Sequence, residues 1–130
     1  MNNSKEINLA LKEFSEGKKV LAYKKLKKIF KKNQLDDQLR FNLAVIEQTL
    51  NLNEESKNNY LFLIKKNNNY KAMINLYLLY IKEENNVEAL DIIEKLLDQN
   101  IKNEGIIKDK ALILYKLKKY KESIKICENY

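Results

Sequence analysis

Apolar residues recur along this chain at helical spacing almost from end to end. Ile7, Leu11 and Phe14 share one stripe of a segment opened by Ser4 and running to about Glu16, with Leu9 and Ala10 on the adjoining stripe. Gly17 ends it. From about Lys19 to Asn33, Ala22, Leu26, Ile29 and Phe30 keep the same spacing, and lysines 24, 25, 27, 28, 31 and 32 occupy the rest of the cylinder. The two segments predict a helical hairpin. A second opens at Asp36 or Asp37, carries Phe41, Leu43, Ala44, Val45, Ile46 and Leu50, and breaks at Asn51-Leu52-Asn53. It resumes with Ser56, Tyr60, Leu63 and Ile64, where Glu54 and Glu55 complement the positive end of the helix dipole, and stops at Asn67-Asn68-Asn69. A third begins near Tyr70 and is apolar on nearly every face through Ile81, as expected of a helix wedged between neighbours. It turns at Glu84-Asn85-Asn86, and its partner, Val87 to Asp98, places Ala89, Leu90, Ile93, Leu96 and Leu97 inward. Gly105 is expected in the linker to a fourth unit, Ile106 to Tyr130.

The hairpins are copies of one another. Asn8-Leu9-Ala10 returns as Asn42-Leu43-Ala44 and as Asn75-Leu76-Tyr77. Each copy is followed in its second helix by a small residue, and these residues, Ala22, Ser56, Ala89 and Ser123, are separated by 34, 33 and 34 positions. That is the period of a helix-turn-helix solenoid. The expected architecture is one all-α domain of about three and a half repeats, at 3–36, 37–69, 70–103 and 104–130. The last is truncated: Ile124, Cys127 and Tyr130 lack the polar capping helix that solenoid ends usually carry, so the chain is expected to continue or to be a fragment.

These residues resemble the tetratricopeptide repeat family over essentially the whole chain. Leu9-Ala10 and Leu43-Ala44 match the family's first-helix pattern. Ala22 with Leu26, Ser56 with Tyr60, Ala89 with Ile93 and Ser123 with Cys127 match the small-then-large spacing of the second helix. Small side chains are needed where the paired helices cross closely, larger ones where they part. The chain departs from the pattern in lacking Trp and the terminal Pro, and in placing Glu6, Glu13, Arg40 and Glu47 where large apolar residues are common. Tyr77 fills a slot that the family keeps small. The resemblance implies a right-handed α-solenoid whose first helices line a concave groove.

Composition narrows the range of functions. With 130 residues, no proline and two glycines, the chain has too few corner formers for a β fold. Its net charge of +7 comes almost wholly from lysine, Arg40 being the only arginine, which counts against specific nucleic-acid readout. Histidine is absent, so Ser-His and Cys-His catalysis within the chain is excluded, and a metal site would have to use carboxylates alone. No enzymatic activity and no cofactor are expected. Cys127 reads as a small core residue, and Tyr115, Tyr120 and Tyr130 as packing residues. The amino terminus has no apolar signal core, Asn2 excludes myristoylation there, and no apolar run reaches the length of a membrane span. A cytoplasmic location is the default expectation.

What the resemblance implies about function is binding of an extended peptide or partner helix, with no small-molecule substrate. Asn8, Asn42 and Asn75 fall at equivalent places on successive first helices, similar to the asparagine ladder of the O-linked N-acetylglucosamine transferases; Asp109 replaces the amide in the fourth unit. An amide donates to a peptide carbonyl and accepts from a peptide N–H at once. Repeat wording in an asparagine-rich chain accounts for the same row without any ligand. Leu11, Phe41, Val45 and Leu78, with Ile7, Ile74 and Ile81, would floor the groove, unless they are buried between adjacent repeats. A chaperone-type carboxylate clamp would use Asn42 and Lys71, but Ile7 and Leu11 stand where it needs a lysine and an asparagine. Two alternatives remain: the substrate-recruiting arm of a larger enzyme, of glycosyltransferase or sulfotransferase type, and a basic surface from Lys18 to Lys32 for RNA or acidic partners. Being on a second helix, that run is expected to face the convex, solvated side, where charge mostly serves solubility.

Overall fold

The computed structural model describes residues 3–129; Asn2 and Tyr130 lie outside them. Eight helices follow one another, with no strand among the described residues: α1 (Ser4–Ser15), α2 (Lys19–Lys32), α3 (Asp37–Thr49), α4 (Asn53–Asn67), α5 (Tyr70–Lys82), α6 (Asn86–Asp98), α7 (Glu104–Lys116) and α8 (Tyr120–Glu128). The all-α architecture expected from the hydrophobic period is present, and the helices fall into four pairs.

Each pair turns through the same corner. Gly17, Asn51, Glu84 and Lys118 have φ of 92, 62, 61 and 64°, and the residue after each donates its N–H back five positions, Lys18 to Glu13, Leu52 to Glu47, Asn85 to Tyr80 and Lys119 to Leu114. This is the Schellman arrangement, in which a left-handed residue lets the chain satisfy the last carbonyls of the helix. Only the first corner uses glycine, which adopts that φ without steric penalty.

Three helix starts, those of α3, α5 and α7, are set by short polar side chains. Asp36 accepts from the Leu39 N–H at 3.0 Å, Asn69 from Ala72 at 3.0 Å and Asn103 from Ile106 at 2.9 Å. Two expectations are corrected here. Ser4 is the first residue of α1 and not its cap, the cap position being Asn3, which makes no side-chain capping bond. Gly105 is not in a linker: Asn103 and Glu104 start α7 ahead of it, and the cost of glycine is small in a capped first turn.

The contacts gather into two compact units, one ending at Leu63 and one beginning at Ile64. In the first, Ala10, Tyr23, Leu26, Leu39, Leu43 and Ile46 form a buried cluster, with Leu11, Ile29 and Phe30 packed against it. At the crossing of α3 and α4, Ser56 Oγ donates to the Ala44 carbonyl at 2.7 Å. In the second unit, α5 packs on α6 and α7 on α8. There Met73, Leu76, Ile93 and Leu96 are among the buried apolar side chains, and Ser123 Oγ donates to the Ala111 carbonyl at 2.8 Å. Burial of each such aliphatic side chain contributes roughly 1.5–3 kcal/mol.

Candidate binding surface on the first helices

Four positions of each first helix, spaced i, i+4, i+7 and i+11, form a stripe left open or only half-buried. In α1 these are Ser4, Asn8, Leu11 and Ser15; in α3, Gln38, Asn42, Val45 and Thr49; in α5, Lys71, Asn75, Leu78 and Lys82; in α7, Gly105, Asp109, Leu112 and Lys116. Their common feature is one aliphatic side chain between polar groups. Leu11 and Val45 are half-buried, and Leu78 and Leu112 are 44% and 49% exposed. Leu112 was not among the expected site residues, although the repeat period carries Leu78 onto it.

The expected amide row is not uniform. Asn8 is exposed, whereas Asn42 is half-buried and its Oδ1 accepts from Gln38 Nε2 at 3.1 Å. Asn75 is half-buried too, and Asp109 Oδ2 accepts from the Tyr77 hydroxyl at 2.8 Å. Lys71 stands exposed in the first turn of α5. Phe41 is half-buried and packs edge-on against Tyr60, with ring centroids 6.0 Å apart, which leaves only part of the ring to a groove. Leu11 is partly committed to the first core.

Behind the α3 stripe lies a polar network where large apolar residues were expected. Glu47 is 4% exposed, and it accepts from the Tyr23 hydroxyl and from Asn59 Nδ2, each at 2.7 Å. Burial pushes its carboxyl above the usual range, and the two hydrogen bonds pull the other way. The Tyr23 phenol is held well above its ordinary value, first by burial and then by its bond to Glu47. Burial likewise lowers the Arg40 guanidinium, which lies 3.7 Å from the Phe62 ring centre and 4.8 Å from that of Phe30 and donates to Asn59 Oδ1 at 3.1 Å. In the first pair Glu13, also buried, takes Lys25 at 2.7 Å. Glu13, Arg40 and Glu47 thus find their partners in Lys25, Asn59 and Tyr23, as buried charge requires, although the Arg40 Nε is buried without a hydrogen bond.

No protein-family model and no curated protein matches the chain. Among solved structures it is similar to a tetratricopeptide repeat protein from Parabacteroides merdae, with a TM-score of 0.79 and 24% identity over 92% of this chain and 47% of that one. It is similar also to MamA of AMB-1, with a TM-score of 0.76 and 15% identity over 92% of this chain and 66% of that one. The fold is that of the tetratricopeptide repeat proteins. The chain spans less than two thirds of either protein.

Tetratricopeptide pairs need small residues where their helices cross, and Ala10, Ala22, Ala44, Ser56, Ala89, Ala111 and Ser123 are all buried at those places. Tyr77 is the exception, and it fits because its hydroxyl runs out to Asp109 on the first helix of the next pair. Burial and that bond raise its phenol above the ordinary value. Two expectations for the fourth pair need correction. Cys127 is exposed and not in the core, lining an open groove with Ile107 and Ala111 of α7. Tyr115 and Tyr120, 61% and 49% exposed, pack mainly on each other, with ring centroids 5.3 Å apart. Among the described residues no cluster of His, Cys, Asp or Glu could hold a metal ion, and no helix is long and apolar enough to cross a membrane.

Proposed function

We propose that this chain is a protein-interaction module that holds an extended peptide or a partner helix along its first helices. The observation that carries this reading is the aliphatic residue kept in the open stripe of every first helix, at Leu11, Val45, Leu78 and Leu112. Recurring at one register of successive first helices, half-buried at Leu11 and Val45 and exposed at Leu78 and Leu112, these residues offer a bound peptide apolar surface to cover. Each unit offers two stripes, α1 with α3 and α5 with α7. The amides of Asn8, Asn42 and Asn75 flank the aliphatic residues and supply donors and acceptors for a peptide backbone, with Gln38 as a competing partner for Asn42. Lys71 adds a cation at the start of α5, suited to an acidic side chain or a terminal carboxylate.

Peptides selected from a random display library on the purified chain test the proposal. Binding of the selected peptides should fall on the order of tenfold or more in the Leu78→Asp, Leu112→Asp double variant, because a desolvated carboxylate replaces apolar contact. Circular dichroism should show unchanged helix content, both side chains being largely exposed. Equal binding by the double variant refutes the role of the stripe. Triple replacement of Asn8, Asn42 and Asn75 by alanine reads the amides in the same assay, and unchanged affinity there removes the ladder alone.

A further inference from the structure

We infer that the first unit carries a second docking surface, away from the first-helix stripe, shaped for an acidic amphipathic helix. A surface groove of about 730 Å³ runs between α2 and the corner that joins α3 to α4. Its floor is apolar: Val20 is 57% exposed, and Leu50 and Leu52 are half-buried and continuous with the core beneath. Tyr23 closes the floor, its hydroxyl turned inward to Glu47. The rim is basic. Lys24, Lys27, Lys28 and Lys31 recur at i, i+3, i+4 and i+7, so α2 presents them as one ridge along the groove.

Of these lysines Lys27 lies against Tyr23 with its charge acting on the buried Glu47, whereas Lys24, Lys28 and Lys31 form no ion pair among the described residues. Among the described residues the α2 ion pair is Lys25 with Glu13, and Lys25 does not line this groove. Lys27 lies 5.4 Å from the Tyr23 ring centre, and no carboxylate lines the groove to neutralise the ridge. Four like charges beside exposed aliphatic surface are a poor design for solubility alone, since an uninterrupted lysine face serves that end without an apolar cleft. A helix with Leu or Ile on one stripe and Glu or Asp beside it satisfies both halves: its apolar side chains cover Val20, Leu50 and Leu52 while its carboxylates meet the lysines.

Nucleic acid fits less well. Single strands are held by exposed aromatic rings and by arginine, whereas the groove's one ring, Tyr23, is buried and its cations are all lysine. The surface stands apart from the first-helix stripe, so the two proposals fail independently.

The test uses the full chain with a synthetic, helix-prone peptide of about 15 residues carrying leucines at i, i+3, i+4 and i+7 with glutamates beside them. A scrambled peptide of identical composition, a poly-uridine RNA and phosphatidylserine vesicles are the comparisons. The amphipathic peptide should bind, with affinity falling as salt rises. Reversal of Lys24, Lys28 and Lys31 to glutamate should weaken it on the order of tenfold or more, about what three exposed ion pairs are worth together. Val20→Ser should weaken it at unchanged salt dependence, and Leu78→Asp, Leu112→Asp should leave it unaltered. Equal binding of the scrambled peptide, tighter binding of the RNA or vesicles, or indifference to the charge reversal in a variant of native helix content would each overturn the proposal.

Discussion

Replacing Tyr77 by alanine restores the small residue that the other three repeats have at the same place, Ala10, Ala44 and Ala111. By repeat consensus the change should be neutral or stabilising. By the structure it is costly. Tyr77 is 3% exposed, so its removal takes a full aromatic side chain from the interior; such truncations cost about 3–5 kcal/mol when the surroundings relax only partly. Its hydroxyl also bonds Asp109 at 2.8 Å. A hydrogen bond to a charged group is worth roughly 1.5–3 kcal/mol, and because Asp109 is half-buried and water can replace the donor, the lower end applies. Urea unfolding followed by circular dichroism should therefore place Tyr77→Ala at least about 3 kcal/mol below the parent, and Tyr77→Phe about 1–1.5 kcal/mol below. The double variant Tyr77→Phe, Asp109→Asn should cost less than the sum of its single changes, since both remove one interaction. A Tyr77→Ala protein within about 1 kcal/mol of the parent would mean that α5 and α6 simply close up to the spacing of the other pairs, and the account of Tyr77 as a filled, anchored crossing would be wrong.

Other outcomes follow from the same geometry. Because burial raises the Glu47 carboxyl, its folded-state proton affinity exceeds that of the unfolded chain, so its contribution favours the fold at low pH and is lost as pH rises through its folded value. The stability of the parent relative to Glu47→Gln should therefore increase as pH falls from 7 toward 4, and a difference that grows with pH instead would contradict this assignment. Tyr23 and Tyr77 are both held above the ordinary phenol value, so in an alkaline titration followed at 295 nm part of the absorbance of the eight tyrosines should appear late, coincident with unfolding, and that late fraction should shrink in Tyr23→Phe, Tyr77→Phe. Lys118→Gly should stabilise by about 0.5–1 kcal/mol, the left-handed φ of 64° costing a lysine more than glycine loses in unfolded-chain entropy. Gly17→Ala should destabilise by about 1 kcal/mol although no atom lies within 4 Å of the added Cβ, and thermal unfolding of the two variants checks both signs.

Helix content and pairing were legible because the apolar period is strong and the corners fall at Gly17, Asn51, Glu84 and Lys118, residues the turn accepts in spite of their variety. Local chemistry misled at two starts. Ser4 and Gly105 have the residue types of a cap and a linker, but Asn3 occupies the cap position and Asn103 supplies an actual one, facts that depend on backbone angles and not on residue type. Glu13 and Glu47 look like faults in an apolar pattern until Lys25, Tyr23 and Asn59 are seen beside them, and Tyr23 comes from the preceding pair, out of reach of any local window. Of the surface, Leu112 could have been found by carrying the period one step past Leu78. The bond between Gln38 and Asn42 lies at i, i+4 and was readable too. The exposure of Cys127 was not, because it depends on what lies against α8 and not on α8 itself.

The two serines at helix crossings hold two of the pairs in register. Sliding α4 along α3 by one turn, about 5.4 Å, would pull Ser56 from the Ala44 carbonyl and strand a hydroxyl in a dry seam, and Ser123 resists the same slip against Ala111. Ala22 and Ala89 make no such bond at their crossings, α1 and α2 being joined instead through Lys25 and Glu13. A ligand that reshapes the α3–α4 or the α7–α8 pair would therefore have to break a buried hydrogen bond to do so, and one that leaves those bonds intact leaves both pairs in their present alignment.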